Sequence, residues 1–249
     1  MRYCLGRLPH SPEQLEATPK HLFGDILPPS ILDRRNINFI PDLYKNDICP
    51  DCSAVGIVNA ARAVAELNGY DLVVVEQNVL NFYASVVGCA PTLAAIEATR
   101  GAVLINVLNK QSISGFDIGS QSLVAGWKAI NHTSRIALAN GMNQFGSDYI
   151  GVTLYERDME TIGKTWDVVP GRDDGNVVGG HCVICFDFLG LSDSDIVRIG
   201  TWGSWQNVTW SWLYNRIDEA YVMAWRQLVR ASGTYWNGMT PYTLLSMTD

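Results

Sequence analysis

Between Ser53 and Asn68 the apolar residues Ala54, Ile57, Val58, Ala61, Val64 and Ala65 recur at the three- and four-residue spacing of one helix face, with Asn59, Arg62 and Glu66 opposite. No other segment constrains the fold as much. The stripe is made largely of small side chains, so the element that packs on it must approach closely. Cys52 stands at the mouth of this helix, where a thiol meets the positive end of the helix dipole and free N–H groups, both of which favour the thiolate. The segment Asn46-Asp47-Ile48-Cys49-Pro50-Asp51-Cys52 therefore reads either as a nucleophile loop or as an ordinary buried cap, since free cysteine is among the most buried residue types. A partner for the thiol decides between them.

The candidate partner is His181, which opens an apolar strand in Gly179-Gly180-His181-Cys182-Val183-Ile184-Cys185-Phe186, 129 residues after Cys52. A third segment, Arg198-Ile199-Gly200-Thr201-Trp202-Gly203-Ser204-Trp205, puts Gly200 148 residues after Cys52. With Cys49-Pro50-Asp51-Cys52, Glu76-Gln77-Asn78 and Gly88-Cys89, these segments resemble papain-like cysteine peptidases over roughly residues 40–225. That family brings a His and then an Asn to a helix-borne Cys from about 130–150 residues downstream. More narrowly, Asn46-Asp47 before the cysteine, Gly-Gly-His, Thr-Trp-Gly and Asp218-Glu219-Ala220-Tyr221 resemble papain-like proteins encoded by bacteriophages and prophages.

The resemblance implies acyl transfer from a peptide or amide. Cys52 would attack the carbonyl, His181 would take the thiol proton and return it to the leaving group, and Asn46 with the Cys52 backbone N–H would hold the oxyanion. Asn46 aligns with a family Gln and is one methylene shorter. Gly200 aligns with the orienting Asn and has no side chain, so the imidazole needs another holder: Gln206, Asn207 or a backbone carbonyl. Asp187 shares a strand face with His181 but lies about 20 Å along it, too far to serve. Trp202 would shield the imidazole from water. The resemblance also implies a Cys49–Cys89 disulfide, against the expectation that a cytoplasmic chain keeps thiols. Two further readings of the cysteines are a thioredoxin-like redox pair at Cys49 and Cys52, and zinc held by Cys49, Cys52, Cys182 and Cys185. Both are weaker. The segment before Cys49 makes a poor buried strand, and Cys182 and Cys185 point to opposite faces of a regular one.

The 249 residues carry no repeat or linker, which predicts one unit of two intimate lobes. Residues 1–45 hold most of the prolines and read as an extended arm laid over the body. Helices are predicted at 53–68, 77–86, 102–108 (after Thr99 as cap) and 134–140, and strands at 149–154, 177–188, 196–202 and 220–225, with one helix near 209–217. The expected fold is α+β and papain-like: a helical lobe over 46–145, an antiparallel β-sheet or barrel lobe over 146–225, and an unpatterned tail over 226–249.

A net charge of −7 argues against a nucleic-acid partner. No apolar run is long enough for a membrane span, and the N-terminal residues lack the apolar core of a secretory signal, so synthesis in a host cytoplasm is expected. No metal or cofactor is expected. Charged residues are only 17%, against about 25% in ordinary soluble domains, which fits a subunit covered by neighbours. Two functions follow. The preferred one is a virion-associated structural protein, partnered by other virion or assembly proteins, with an incomplete Cys-His-Asn site. The alternative is a working cysteine peptidase or amidase with a peptide substrate.

Overall fold

The computed structural model describes residues 3–21, 23 and 26–246; the extreme ends of the expected arm and tail, residues 1–2 and 247–249, lie outside them. The small-residue stripe forms the longest helix, α2 (Cys52–Leu67), whose Ala54, Ile57, Val58, Ala61, Val64 and Ala65 are all buried. On it pack α3 (Glu76–Val87) and α5 (Leu104–Ile113), while α4 (Leu93–Glu97) packs on α3 and α6 (Arg135–Phe145) on the sheet. Ser134 caps α6, its side chain accepting from the Ala137 N–H at 3.2 Å. Thr99 does not cap α5. Ala102–Val103 form a short strand, β2, that delays the helix, and the Thr99 hydroxyl is instead shared with the Tyr83 hydroxyl at 2.9 Å.

The second half supplies β6 (Asp148–Tyr155), β7 (Val177–Phe188), β8 (Ile196–Thr201), β9 (Ser204–Thr209) and β10 (Ile217–Trp225), with α7 (Glu156–Glu160) and α8 (Trp210–Arg216) between strands. One further strand, β5 (Ala125–Ala129), comes from the half that reads as helical and pairs with β10, which completes a six-stranded antiparallel sheet in the order β5-β10-β6-β7-β8-β9. Its Ala, Gly and Lys are weak strand formers, and the pairing with β10 overrides that preference. β3 (Phe116–Asp117) and β4 (Ser122–Leu123) make a small separate hairpin. The tail is not patternless: it contains α9 (Pro241–Ser246), and the Tyr235 hydroxyl donates to the Trp225 carbonyl at 2.7 Å.

The arm includes β1 (Arg7–Leu8) and α1 (Pro12–Glu16), the latter opened by a capping box between Ser11 and Gln14. Further on, Leu32 and Phe188 exchange backbone hydrogen bonds of 2.9 and 3.0 Å, and the Asn59 amide of α2 grips the backbone N–H and carbonyl of Asp42 at 2.8 and 2.9 Å. No helix among the described residues is long and apolar enough to cross a membrane.

The contact that positions everything else is α2 against β7. A Cβ on Gly56 would stand 2.9 Å from both the Cys182 sulfur and the Tyr149 ring, so the helix sits as close to the sheet as a glycine allows. The Tyr149 hydroxyl then donates to the Ser53 carbonyl at 2.9 Å. Gly56→Ala is expected to destabilise the fold by about 1–3 kcal/mol through overpacking, read as a lower urea midpoint at unchanged slope.

Candidate active site

Close packing of α2 on β7 brings the first turn of the helix to the strand residue that follows His181. The Cys52 thiol, at the helix mouth, accepts from the backbone of Cys182. The loop leading to it is tightly wound, with Tyr44 and Lys45 both left-handed at φ 43° and 73°. Asn46, next in line, is buried, and its amide donates to the Cys49 carbonyl at 3.1 Å and to Asp51 at 3.2 Å. In this state the amide expected to hold an oxyanion is engaged in shaping the nucleophile loop.

His181 is fully buried and stacked on the Trp202 ring, with centroids 4.3 Å apart and planes 19° from parallel. Its Nε2 shares a 2.7 Å hydrogen bond with the Thr201 hydroxyl, and its Nδ1 has no partner. The expectation that Gly200 leaves the imidazole unheld is therefore corrected. A Cβ on Gly200 would stand 2.8 Å from Pro41 and 2.9 Å from Ile184, on the other side of the strand, so position 200 is not the one that faces His181. Thr201 is. Sequence reasoning missed it by one residue, although the alternation of side chains along β8 was the signal that could have found it. Gln206 is not a substitute holder: it is engaged with Gly163, Lys164 and Asn207. Asp187 pairs with Arg198 and with the Arg34 backbone, away from the imidazole.

Trp202 reaches its place through a two-residue hairpin turn. Thr201 pairs with Ser204, and the intervening Trp202 and Gly203 both have positive φ, at 44° and 74°. This is the turn geometry that matches strand twist, but it is costly for a bulky side chain, at about 1–3 kcal/mol. The strain places the indole over the imidazole.

The arm enters the same cleft. The Gly6 backbone hydrogen-bonds to Cys52, and the Arg7 charge acts on both Cys52 and His181. The fit is tight on every side. A Cβ on Gly6 would collide with the Pro50 carbonyl, one on Gly101 with the Gly6 carbonyl, and one on Gly180 would stand 2.5 Å from the Arg7 carbonyl. The arm thus runs between the nucleophile loop, the Gly101-Ala102 edge and β7. No hydrogen bond joins Cys52 to His181 among the described residues.

This enclosure sets the electrostatics. The helix mouth was expected to lower the Cys52 pKa, but burial pushes it up to about 12, with the nearby Asp51 adding to the rise and the Cys182 backbone opposing it. Burial likewise pushes His181 down to about 3, assisted by Arg7. Asp51 is also raised by burial. Both members of the pair are uncharged at neutral pH while the arm is in place.

The implied Cys49–Cys89 disulfide is not formed; both are thiols, Cys49 buried and Cys89 half-buried. Among the described residues no three His, Cys, Asp or Glu side chains are grouped to hold a metal ion, and the four-cysteine arrangement is not assembled.

No family model matches the sequence, and no curated protein sequence matches it. Solved structures do. Xylellain, a cysteine protease from Xylella fastidiosa, superposes with a TM-score of 0.58 at 10% identity over 89% of this chain and 96% of that one. Digestive procathepsin L 3 of Tenebrio molitor gives 0.61 at 10% identity, covering 88% and 75%. The cysteine protease and lectin-like domains of Cwp84 from Clostridium difficile give 0.60 at 9% identity, covering 89% and 55%. The chain therefore has the α+β fold of papain-like cysteine proteases, a helical N-terminal part followed by a six-stranded antiparallel sheet.

The neutral, buried imidazole makes a pH prediction. His181 titrates near 3 in the fold and near 6.5 when unfolded, so below pH 6.5 the unfolded chain binds a proton that the folded chain does not. Its stabilising contribution is full above pH 6.5 and falls by at most roughly 1.4 kcal/mol per pH unit towards pH 3. Urea midpoints measured from pH 7 to 4 should fall less steeply for His181→Gln than for the natural chain; equal slopes would mean that the folded imidazole is already protonated.

Proposed function

We propose that this protein is a papain-like cysteine peptidase or amidase held latent by its own N-terminal arm. The observation that carries the reading is the setting of His181: one ring nitrogen is held by Thr201 under Trp202, and the other is buried without a partner on the residue next to the backbone that contacts Cys52. An unpartnered buried nitrogen costs about 1–3 kcal/mol, and this one has no other group competing for the proton it would take. With the arm withdrawn, water re-enters, both pKa shifts relax, and the helix mouth can favour a thiolate.

In the proposed reaction Nδ1 of His181 takes the Cys52 proton as the sulfur bonds to the substrate carbonyl carbon. The oxyanion that forms is held by the Cys52 backbone N–H and by Asn46 once its amide turns from Asp51. Collapse breaks the carbon–nitrogen bond, and the imidazolium gives its proton to the leaving amine. Water, deprotonated by His181, then cleaves the thioester and restores the thiol. Thr201 acts as a positioning residue in place of the family Asn.

A second reading is a virion-associated structural protein, made in a host cytoplasm and partnered by other virion or assembly proteins. It draws on the likeness to phage-encoded sequences, and on the covered, uncharged state of Cys52 and His181, which needs no chemistry to be stable.

Labelling by a peptidyl vinyl sulfone separates the two. Cys52 in the intact chain should react slowly, and Arg7→Ala, which loosens the arm, should raise its labelling rate by about tenfold or more with hydrolysis of a mixed peptide library appearing alongside. Cys52→Ala on the same background should abolish both. A folded Arg7→Ala chain with no selective labelling and no hydrolysis would leave the structural reading standing. In the active background Thr201→Val should lower kcat about tenfold or more with KM little changed, and narrow the acid limb of the pH profile, which a merely structural role would not move.

A further inference from the structure

The Asp218-Glu219-Ala220-Tyr221 segment finds no place in the chemistry above, yet it lies in the same cleft. Glu219 is buried at the start of β10, and the Arg7 guanidinium reaches into the pocket beside it. Arg7 Nη1 donates to Glu219 at 2.9 Å, and Nη2 donates to Asp218 and, at 3.3 Å, to the Thr153 hydroxyl. The other Glu219 oxygen is fixed by the Tyr221 hydroxyl at 2.7 Å and by His10 at 3.1 Å. The carboxylates are thus pre-oriented toward a planar, forked cation.

Two glycines make room for it. A Cβ on Gly151 would stand 2.6 Å from Arg7 Cδ and 2.7 Å from Glu219, and one on Gly180 would stand 3.0 Å from Arg7 Nε. Neither glycine has a positive φ, so neither is demanded by backbone conformation. Their missing side chains clear a slot the width of an arginine stem between neighbouring strands. A groove of about 1110 Å³ runs beside arm residues Tyr3, Cys4 and Leu5, and among the described residues the charged ones that line it are Asp47, Glu97, Glu156 and Glu160. A peptide lying along that groove meets four carboxylates interspersed with apolar side chains such as Ile48, Met159 and Val178.

We propose that the pocket of Glu219, Asp218 and Thr153, between Gly151 and Gly180, is the specificity pocket of the cleft, that it selects peptides carrying an arginine next to the segment lying over Cys52, and that Arg7 fills it as an internal stand-in. The substrate class is a basic peptide. This inference rests on the peptidase reading for its meaning as specificity but not for its test, which measures binding alone.

The test uses the full-length chain carrying Arg7→Ala and Cys52→Ala, checked for folding by circular dichroism, and fluorescent hexapeptides that differ only in one central residue. The arginine peptide should bind tighter than its norleucine or citrulline counterpart by a factor on the order of 100, and Glu219→Gln should reduce that preference to a few-fold. Nα-acetyl-arginine methylamide should raise the melting temperature of the double variant and leave the chain with Arg7 in place unchanged, because its pocket is full. Equal binding of all three peptides would overturn the proposal, as would a melting temperature indifferent to the arginine amide. Arginine-selective binding by a chain that never hydrolyses peptide would uphold the pocket and sink the peptidase reading; hydrolysis without arginine preference would do the reverse.

Discussion

The approach of α2 to β7 at Gly56 is the constraint on which the rest depends. Because no side chain intervenes there, the helix rides low enough for its first residue, Cys52, to meet the Cys182 backbone and for Tyr149 to reach the Ser53 carbonyl. A neighbouring carbonyl, a strand and a helix mouth are thereby locked within one hydrogen-bonded cluster. The two residues that carry the proposed chemistry come from sequence positions 129 apart, and only this packing brings their elements together.

Once the cleft exists, its electrostatics are governed by what fills it. With Gly6 and Arg7 in place, burial outweighs the helix dipole at Cys52 and excludes the charged imidazole at His181. Both shifts follow from burial, opposed at Cys52 by neighbouring backbone groups and reinforced at His181 by the Arg7 charge. The same enclosure makes Arg7 and Glu219 depend on each other, since removing either leaves a buried charge without its partner, whereas Asp218 is half-exposed. Latency, on the proposed reading, is therefore a property of solvent exclusion and not of a misplaced residue.

Much of this was legible from residues alone, where periodicity or spacing carried the signal. The helix predicted at 53–68, the strands predicted at 149–154, 177–188 and 220–225, and the segregated α+β plan follow from apolar pattern and fall on α2, β6, β7 and β10. β5 escaped because four of the five residues of Ala-Gly-Trp-Lys-Ala are weak strand formers and the segment is held by its partner β10. Thr201 escaped because motif alignment ignores which face of a strand a residue occupies, whereas Gly200 and Thr201 differ in that respect. The depth of the arm escaped for a deeper reason. Proline content announces an extended segment, but whether it lies on a surface or inside a cleft depends on glycines at 101, 151 and 180 that are far away in sequence and silent until the chain is folded.

On the proposed reading the arm and an external ligand of the cleft compete for one pocket and are thermodynamically linked. Glu219 is buried and would be an uncompensated charge without a cation, so the pocket disfavours an apolar occupant and, when opened, draws in water or another base. Arg7 is tethered, and a tether of a few residues confers an effective concentration of about millimolar or more. A free basic peptide at lower concentration displaces it only by making contacts that the arm does not, which the acidic groove alongside residues 3–5 offers. Each carboxylate that grips a ligand and not the arm shifts the balance toward the open form, and by linkage the open form binds that ligand more tightly by the same factor. On the proposed reading Glu219 and Asp218 hold the arm, and the separate carboxylates of the groove favour the ligands able to displace it.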